Sequence, residues 1–222
     1  MSKITLRAAL LVFAAGFAAP ALAQGRPESA AGGLPPGDAK PATPPEERTK
    51  VFVGAGLGGG FGAKYKVNGT SVSFDDRFQN ALDKTPLVAV NVASFGIALR
   101  PGLFAGLDLS GFGQSATALN GDKTSVTITN YFAALTYFPW ESGLFLRGGL
   151  GLSRFVSTVG STTEGSGGLG FLVAAGYALQ LTGAHHLSLT VEQTWQSYGG
   201  SSTIKPDSSQ VGAVILGYMW KP

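Results

Sequence analysis

From Val51 onward the chain alternates with a period of two. Val51, Val53, Ala55, Leu57, Phe61 and Ala63 share one parity, and Gly54, Gly56, Gly58, Gly60 and Gly62 share the other. Successive side chains of an extended strand point to opposite faces, so this segment predicts a strand with one apolar face and one nearly bare face. The alternation recurs at 103–110, where Leu103, Ala105, Leu107 and Leu109 oppose Phe104, Gly106, Asp108 and Ser110. It recurs again at 144–153, where Leu144, Leu146, Leu150 and Leu152 oppose Phe145, Arg147, Gly149, Gly151 and Ser153. Segments 87–99, 124–138, 169–181, 187–198 and 210–220 bring the predicted strands to eight. Several exceed the about 5–6 residues usual for strands of water-soluble proteins and suffice for tilted membrane spans.

The links between these strands alternate in length. The first, third, fifth and seventh are 64–86, about 119–123, 159–168 and 199–209. The second, fourth and sixth are tight: Arg100-Pro101-Gly102, Pro139-Trp140-Glu141-Ser142-Gly143 and Thr182-Gly183-Ala184-His185-His186. Long loops at one end and short turns at the other are the pattern of a membrane β-barrel. Composition agrees. Glycine accounts for 33 of 222 residues and charged residues for only 13%, so the face opposite the apolar parity is small rather than charged. The expected fold is all-β, an eight-stranded antiparallel up-and-down transmembrane β-barrel over 51–222. No segment after the N-terminus offers the unbroken apolar run of a membrane helix.

Two segments stand apart from the strands. Lys3 and Arg7 precede an apolar run from Ala8 to Ala19, and Ala21-Leu22-Ala23 has the A-x-A form of a cleavage site. Residues 1–23 are therefore expected to be a signal peptide cleaved after Ala23. Residues 24–50 hold six of the twelve prolines and only Leu34 as a large aliphatic. Such a stretch cannot bury enough apolar surface to offset its ordering entropy, and reads as a disordered linker.

Aromatic residues fall near the two ends of the predicted strands: Phe104, Phe138, Trp140, Phe145, Tyr218 and Trp220 near the short turns, and Phe61, Tyr65, Phe112, Phe155, Trp195 and Tyr198 near the long loops. They are read as two interfacial belts. The segments Leu146-Arg147-Gly148-Gly149-Leu150-Gly151-Leu152-Ser153 and Gly170-Phe171-Leu172-Val173-Ala174-Ala175-Gly176-Tyr177, with the ending Leu216-Gly217-Tyr218-Met219-Trp220, resemble the small eight-stranded outer-membrane β-barrel family, similar to the membrane domain of outer membrane protein A and to outer membrane protein X. The resemblance implies location in a bacterial outer membrane, short turns toward the periplasm, and lipid as surroundings. It also implies a last strand read by the barrel-assembly machinery, with Leu216, Tyr218 and Trp220 as the signal.

The motifs with chemical potential reduce to structure. Gly54-x-Gly56-x-x-Gly59 imitates a dinucleotide fingerprint, but no helix signal follows it. His185-His186 lies in a short turn without a third ligand nearby, and the chain has no cysteine, so no metal or cofactor is expected. A net charge of +3 is too small and scattered for nucleic acid. On the inward parity lie Asp108, Arg147 and Glu192, with Arg154 on the opposite parity. Eight strands enclose an interior that side chains fill, so these three are expected to form a charge network, with the strand-one glycines making room for Phe145 and Arg147. Loop 64–86 carries Lys64, Lys66, Asp75, Asp76, Arg77, Asp83 and Lys84 as candidates for binding a surface ligand. The expected function is that of a non-enzymatic, monomeric barrel that reinforces the outer membrane and presents its loops. The alternatives are a small pore for solutes or ions, and an outer-membrane lipid hydrolase.

Overall fold

An alternating chain can bury its small and polar side chains away from a lipid solvent only by closing its sheet on itself, and this chain does so. The computed structural model describes residues 51–78, 81–139, 143–199 and 206–222. The expected signal segment, the linker and Trp140 lie outside the described residues. The elements are β1 (Val51–Val67), β2 (Thr70–Ser73), α1 (Phe74–Arg77), β3 (Ala81–Lys84), β4 (Val88–Arg100), β5 (Leu103–Ala118), β6 (Lys123–Tyr137), β7 (Leu144–Val159), β8 (Thr162–Thr182), β9 (His185–Tyr198) and β10 (Ser208–Trp220). β1 and β4 through β10 follow one another antiparallel around a ring of eight, which β1 closes by pairing with β10. Val53 lies opposite Trp220, Leu57 opposite Leu216 and Lys66 opposite Ser208 in that closing seam. Every ring strand thus has two neighbours, which satisfies backbone groups that lipid could not.

The two faces are inverted relative to a water-soluble protein. Leu57, Val92, Leu150 and Leu169 are each more than 60% exposed on the outside, whereas Asp108 and Asn130 are fully buried inside. Outside, the ladder on β7 runs Leu146, Leu150, Leu152, and on β10 Leu216, Tyr218, Trp220. A face of this kind is stable against hydrocarbon and not against water.

Three details depart from the sequence reading. Ala63 faces the lumen, not the apolar outside, because β1 carries a bulge between Phe61 and Lys64 that flips the parity. Gly62, at φ +60°, supplies the left-handed residue such a bulge uses. The link 159–168 is also mostly strand: β7 and β8 stay paired out to Val159 opposite Thr162. Small polar residues there hide the strand from an apolar pattern, while the backbone ladder still forms.

The aromatic belts are the third departure. Phe104, Phe138 and Phe145 at the short-turn end, and Tyr65, Phe112, Phe155 and Tyr198 at the loop end, are buried inside. The physical reason is parity: Phe104 shares the face of Asp108, and Phe145 that of Arg147. Of the expected belts, Tyr218, Trp220, Phe61 and Trp195 do face outward. Tyr137 and Tyr177 join the lower set, and Tyr131 and Phe171 the upper, with Phe171 stacked on Trp195 at 5.6 Å.

Candidate functional site: the lumen and the loop-end rim

The lumen is packed in tiers, which the inward residues of β6 mark in order. Beyond its end Phe138 belongs to an aromatic plug at the short turns; Thr136, Phe132 and Asn130 follow, and Ile128 and Val126 enter a second plug at the loop end. The short-turn plug holds Phe52, Phe104, Phe138, Phe145 and Met219. Phe52, Phe104 and Phe138 meet edge to face at 5.3–6.3 Å, the arrangement that aligns ring edges with ring faces. Phe145 lies over Gly176, its partner on the adjacent strand β8, where a β-carbon would meet its ring. The room for Phe145 is therefore made by β8, and not by the glycines of β1, which instead lie close to the backbone and Ile215 of β10 and to Leu87.

Above this plug lies the polar tier. Arg147 Nη1 donates to Asp108 Oδ2 at 2.5 Å and to Ser94 Oγ at 2.9 Å, and its Nε donates to Thr136 Oγ1 at 3.2 Å. Asp108 Oδ2 also accepts from Asn91 Nδ2 at 3.0 Å and from Ser94 Oγ at 2.7 Å. The guanidinium lies 5.5 Å from the Phe145 centroid and 5.9 Å from that of Phe52, within cation–π range. Glu192 sits at the same level, 2% exposed, with neither carboxylate oxygen hydrogen-bonded. Asp108 and Arg147 are thus an ion pair, and Glu192 is beside it without direct contact. A cavity of about 20 Å³ is lined by Arg147, Glu192, Ser94, Ser188, Thr190 and Gly56, space for about one water molecule. Asn91, Ser94 and Thr136 are network members absent from the sequence reading; parity is the signal for Thr136, whereas Asn91 and Ser94, of opposite parity, both turn inward because β4 carries an irregularity between Asn91 and Ala93.

A second polar tier links Ser153 Oγ to Asn130 Oδ1 at 2.6 Å, and Ser209 Oγ to both Gln196 Oε1 at 2.6 Å and the Tyr198 hydroxyl at 2.8 Å. Tyr198 passes into the loop-end plug. There the first long loop folds back over the mouth. β2 pairs with the end of β1 and β3 with the end of β5. Between them α1 is capped by Ser73, whose hydroxyl accepts from the Asp76 amide at 2.9 Å. This directs Phe74 and Phe78 into the plug, with Phe74 edge-on to Tyr65 at 5.6 Å.

The loop candidates are not brought together with the lumen charges. Asp75, Asp76 and Asp83 are exposed, Lys84 pairs with Asp75, and Arg77 ends α1. Lys64 and Lys66 are exposed on the outward side of β1. Arg154, also exposed, follows the outward Leu152 on β7. At the opposite end, His185 hydrogen-bonds the Tyr218 hydroxyl, and His186 Nδ1 lies 3.1 Å from the Ala184 carbonyl. Among the described residues no group of three His, Asp or Glu side chains is arranged to hold a metal.

No family model and no curated protein matches the sequence. Solved structures do match the fold. The attachment invasion locus protein Ail of Yersinia pestis, in complex with the heparin analogue sucrose octasulfate, is 11% identical with a TM-score of 0.50, over 78% of this chain and 99% of that one. Neisserial surface protein A is 14% identical with a TM-score of 0.48, over 78% and 97%. A ring of eight strands turned inside out, closed on a polar lumen and superposing along the whole of Ail, has one reading: this chain has the fold of the small outer-membrane β-barrel proteins.

Proposed function

We propose that the chain is a closed, non-enzymatic barrel of the bacterial outer membrane, anchored by its outer face and presenting its loop end to the exterior. The observation that carries this reading is the filled lumen: the Asp108–Arg147 pair lies between two aromatic plugs, with a cavity of only about 20 Å³ beside it. A conducting path would need a continuous water column, and eight strands enclose just enough space for side chains. The folded-back first loop supports the same reading, since its aromatic residues extend the loop-end plug. A hydrolase is disfavoured because the imidazoles of His185 and His186 engage Tyr218 and a backbone carbonyl rather than a serine and an acid. The exposed carboxylates of the first loop are then available to a surface partner.

The absence of cysteine from the chain makes the orientation directly testable. Single cysteines replacing Asp76 and Ser161 are expected to react with a membrane-impermeant maleimide on intact cells. A cysteine replacing Gly183 should react only after the outer membrane is permeabilised. The reverse pattern would overturn the proposed orientation, and equal labelling of all three would overturn membrane insertion.

A further inference from the structure

Charge on the ring strands is sorted by face. Asp108, Glu164 and Glu192, the ring-strand carboxylates among the described residues, all occupy lumen-side positions. The charged residues at outward positions toward the loop end are all cations: Lys64 and Lys66 on β1, Lys123 at the start of β6, and Arg154 on β7. Two of these stand where the outward apolar ladder stops. Arg154 is the next outward residue after Leu150 and Leu152, and Lys64 is the first after Phe61 and the bulge.

Each is set in a recess on the outer wall. Lys64 and Lys66 border a groove of about 400 Å³ with Trp195, Gln210, Ser208 and Ser71. Lys64 and Trp195 flank Gln210 across the β1–β10–β9 ladder. Arg154 borders a recess of about 510 Å³ with Tyr131, Leu152, Gly165 and Gly167. Gly167 lies opposite Arg154, and its outward side is open space. Neither lysine nor Arg154 has a carboxylate within ion-pairing distance among the described residues; the two ion pairs there are Lys84–Asp75 and Arg147–Asp108. The nearby Asp207 carboxylate accepts from the Gly69 amide at 3.2 Å.

We infer that this rim binds the phosphate groups of an anionic lipid in the adjoining leaflet, Lys64 with Lys66 at one site and Arg154 at the other. Cations at the end of an apolar ladder, beside amphipathic aromatic rings, lie at headgroup depth. Hydroxyl and amide donors beside the lysines suit phosphate oxygens. A water-borne polyanion fits less well, because the loop tips it would meet first expose Asp75, Asp76, Asp83 and Asp122.

The inference rests on the membrane placement proposed above, so the test begins with it. The full chain is refolded in dodecyl maltoside and checked for heat-modifiable gel mobility. Lipid A bearing two phosphates is then added, and retained lipid is counted by native mass spectrometry. Wild type should retain lipid A and release its dephosphorylated form. R154Q should weaken retention about fivefold and K64Q/K66Q about 25-fold, with gel mobility unchanged. Equal retention of the dephosphorylated lipid, or variants that retain lipid A like wild type, would overturn the inference. Displacement of lipid A by inorganic pyrophosphate or by sucrose octasulfate would assign the sites to a water-borne anion and overturn the lipid assignment. Loss of heat-modifiable mobility in the wild type would overturn the membrane-barrel reading itself.

Discussion

Arg147 joins the two kinds of packing inside this barrel. Its guanidinium edge serves Asp108, Ser94 and Thr136, and it lies within cation–π range of Phe145 and Phe52. Removing it strands a buried carboxylate that three donors now share. Arg147→Ala is expected to cost about 3–5 kcal/mol, read as a lower urea midpoint for the folded barrel in detergent. Replacing both partners, Arg147→Met with Asp108→Leu, should recover part of that loss, because no buried charge is then unpaired. A midpoint for Arg147→Ala within error of wild type would mean that the ion pair carries no stability. The placement of Asp108, Arg147 and Glu192 on one face was legible from parity alone, since each shares its face with glycine, serine or threonine rather than leucine. Which pair would touch was not legible. That depends on how far around the ring β5, β7 and β9 lie from one another, and Glu192 ends without a direct partner although its parity is the same.

At the scale of elements, sequence alternation predicts all eight ring strands and the tight turns at 101–102 and 183–184, because a strand with one apolar and one small or polar face must show its period. It fails where the apolar outer face stops. Past the apolar outer ladder the β7–β8 hairpin continues in Ser157, Thr158, Thr162 and Thr163, which carry no apolar signal yet complete a backbone ladder. It failed also at Gly62, one glycine in a run of alternating glycines, whose positive φ makes the bulge that turns Ala63 inward. The aromatic residues were misplaced for another reason. Distance from the strand ends says nothing of face, whereas parity places most of them inside. The seam between β1 and β10 deserves a test of its own, because closure depends on it. Leu216, Tyr218 and Trp220 form an outward row on β10, and Trp220 lies opposite Val53. We propose that this row is the assembly signal. Trp220→Ala should lower outer-membrane levels several-fold while export continues, measured by fractionation and immunoblot. Wild-type levels would show that the machinery reads another feature.

For the whole molecule, the sequence made a filled interior expected, whereas the means of filling it needed three dimensions. Two aromatic plugs and two polar tiers come from residues scattered over β1, β4 to β10 and the first loop, and α1 adds Phe74 and Phe78 from a segment whose charges had suggested only a free surface loop. The loop therefore does two things: it seals the mouth from inside and exposes carboxylates outside. The central claim is that this barrel spans a membrane with its lumen closed. Planar-bilayer recording of the purified wild-type chain tests it most directly. The account predicts insertion without stable single-channel steps, because the Asp108–Arg147 tier and the plugs leave no continuous water path. Steady, reproducible conductance from the folded wild type would contradict it.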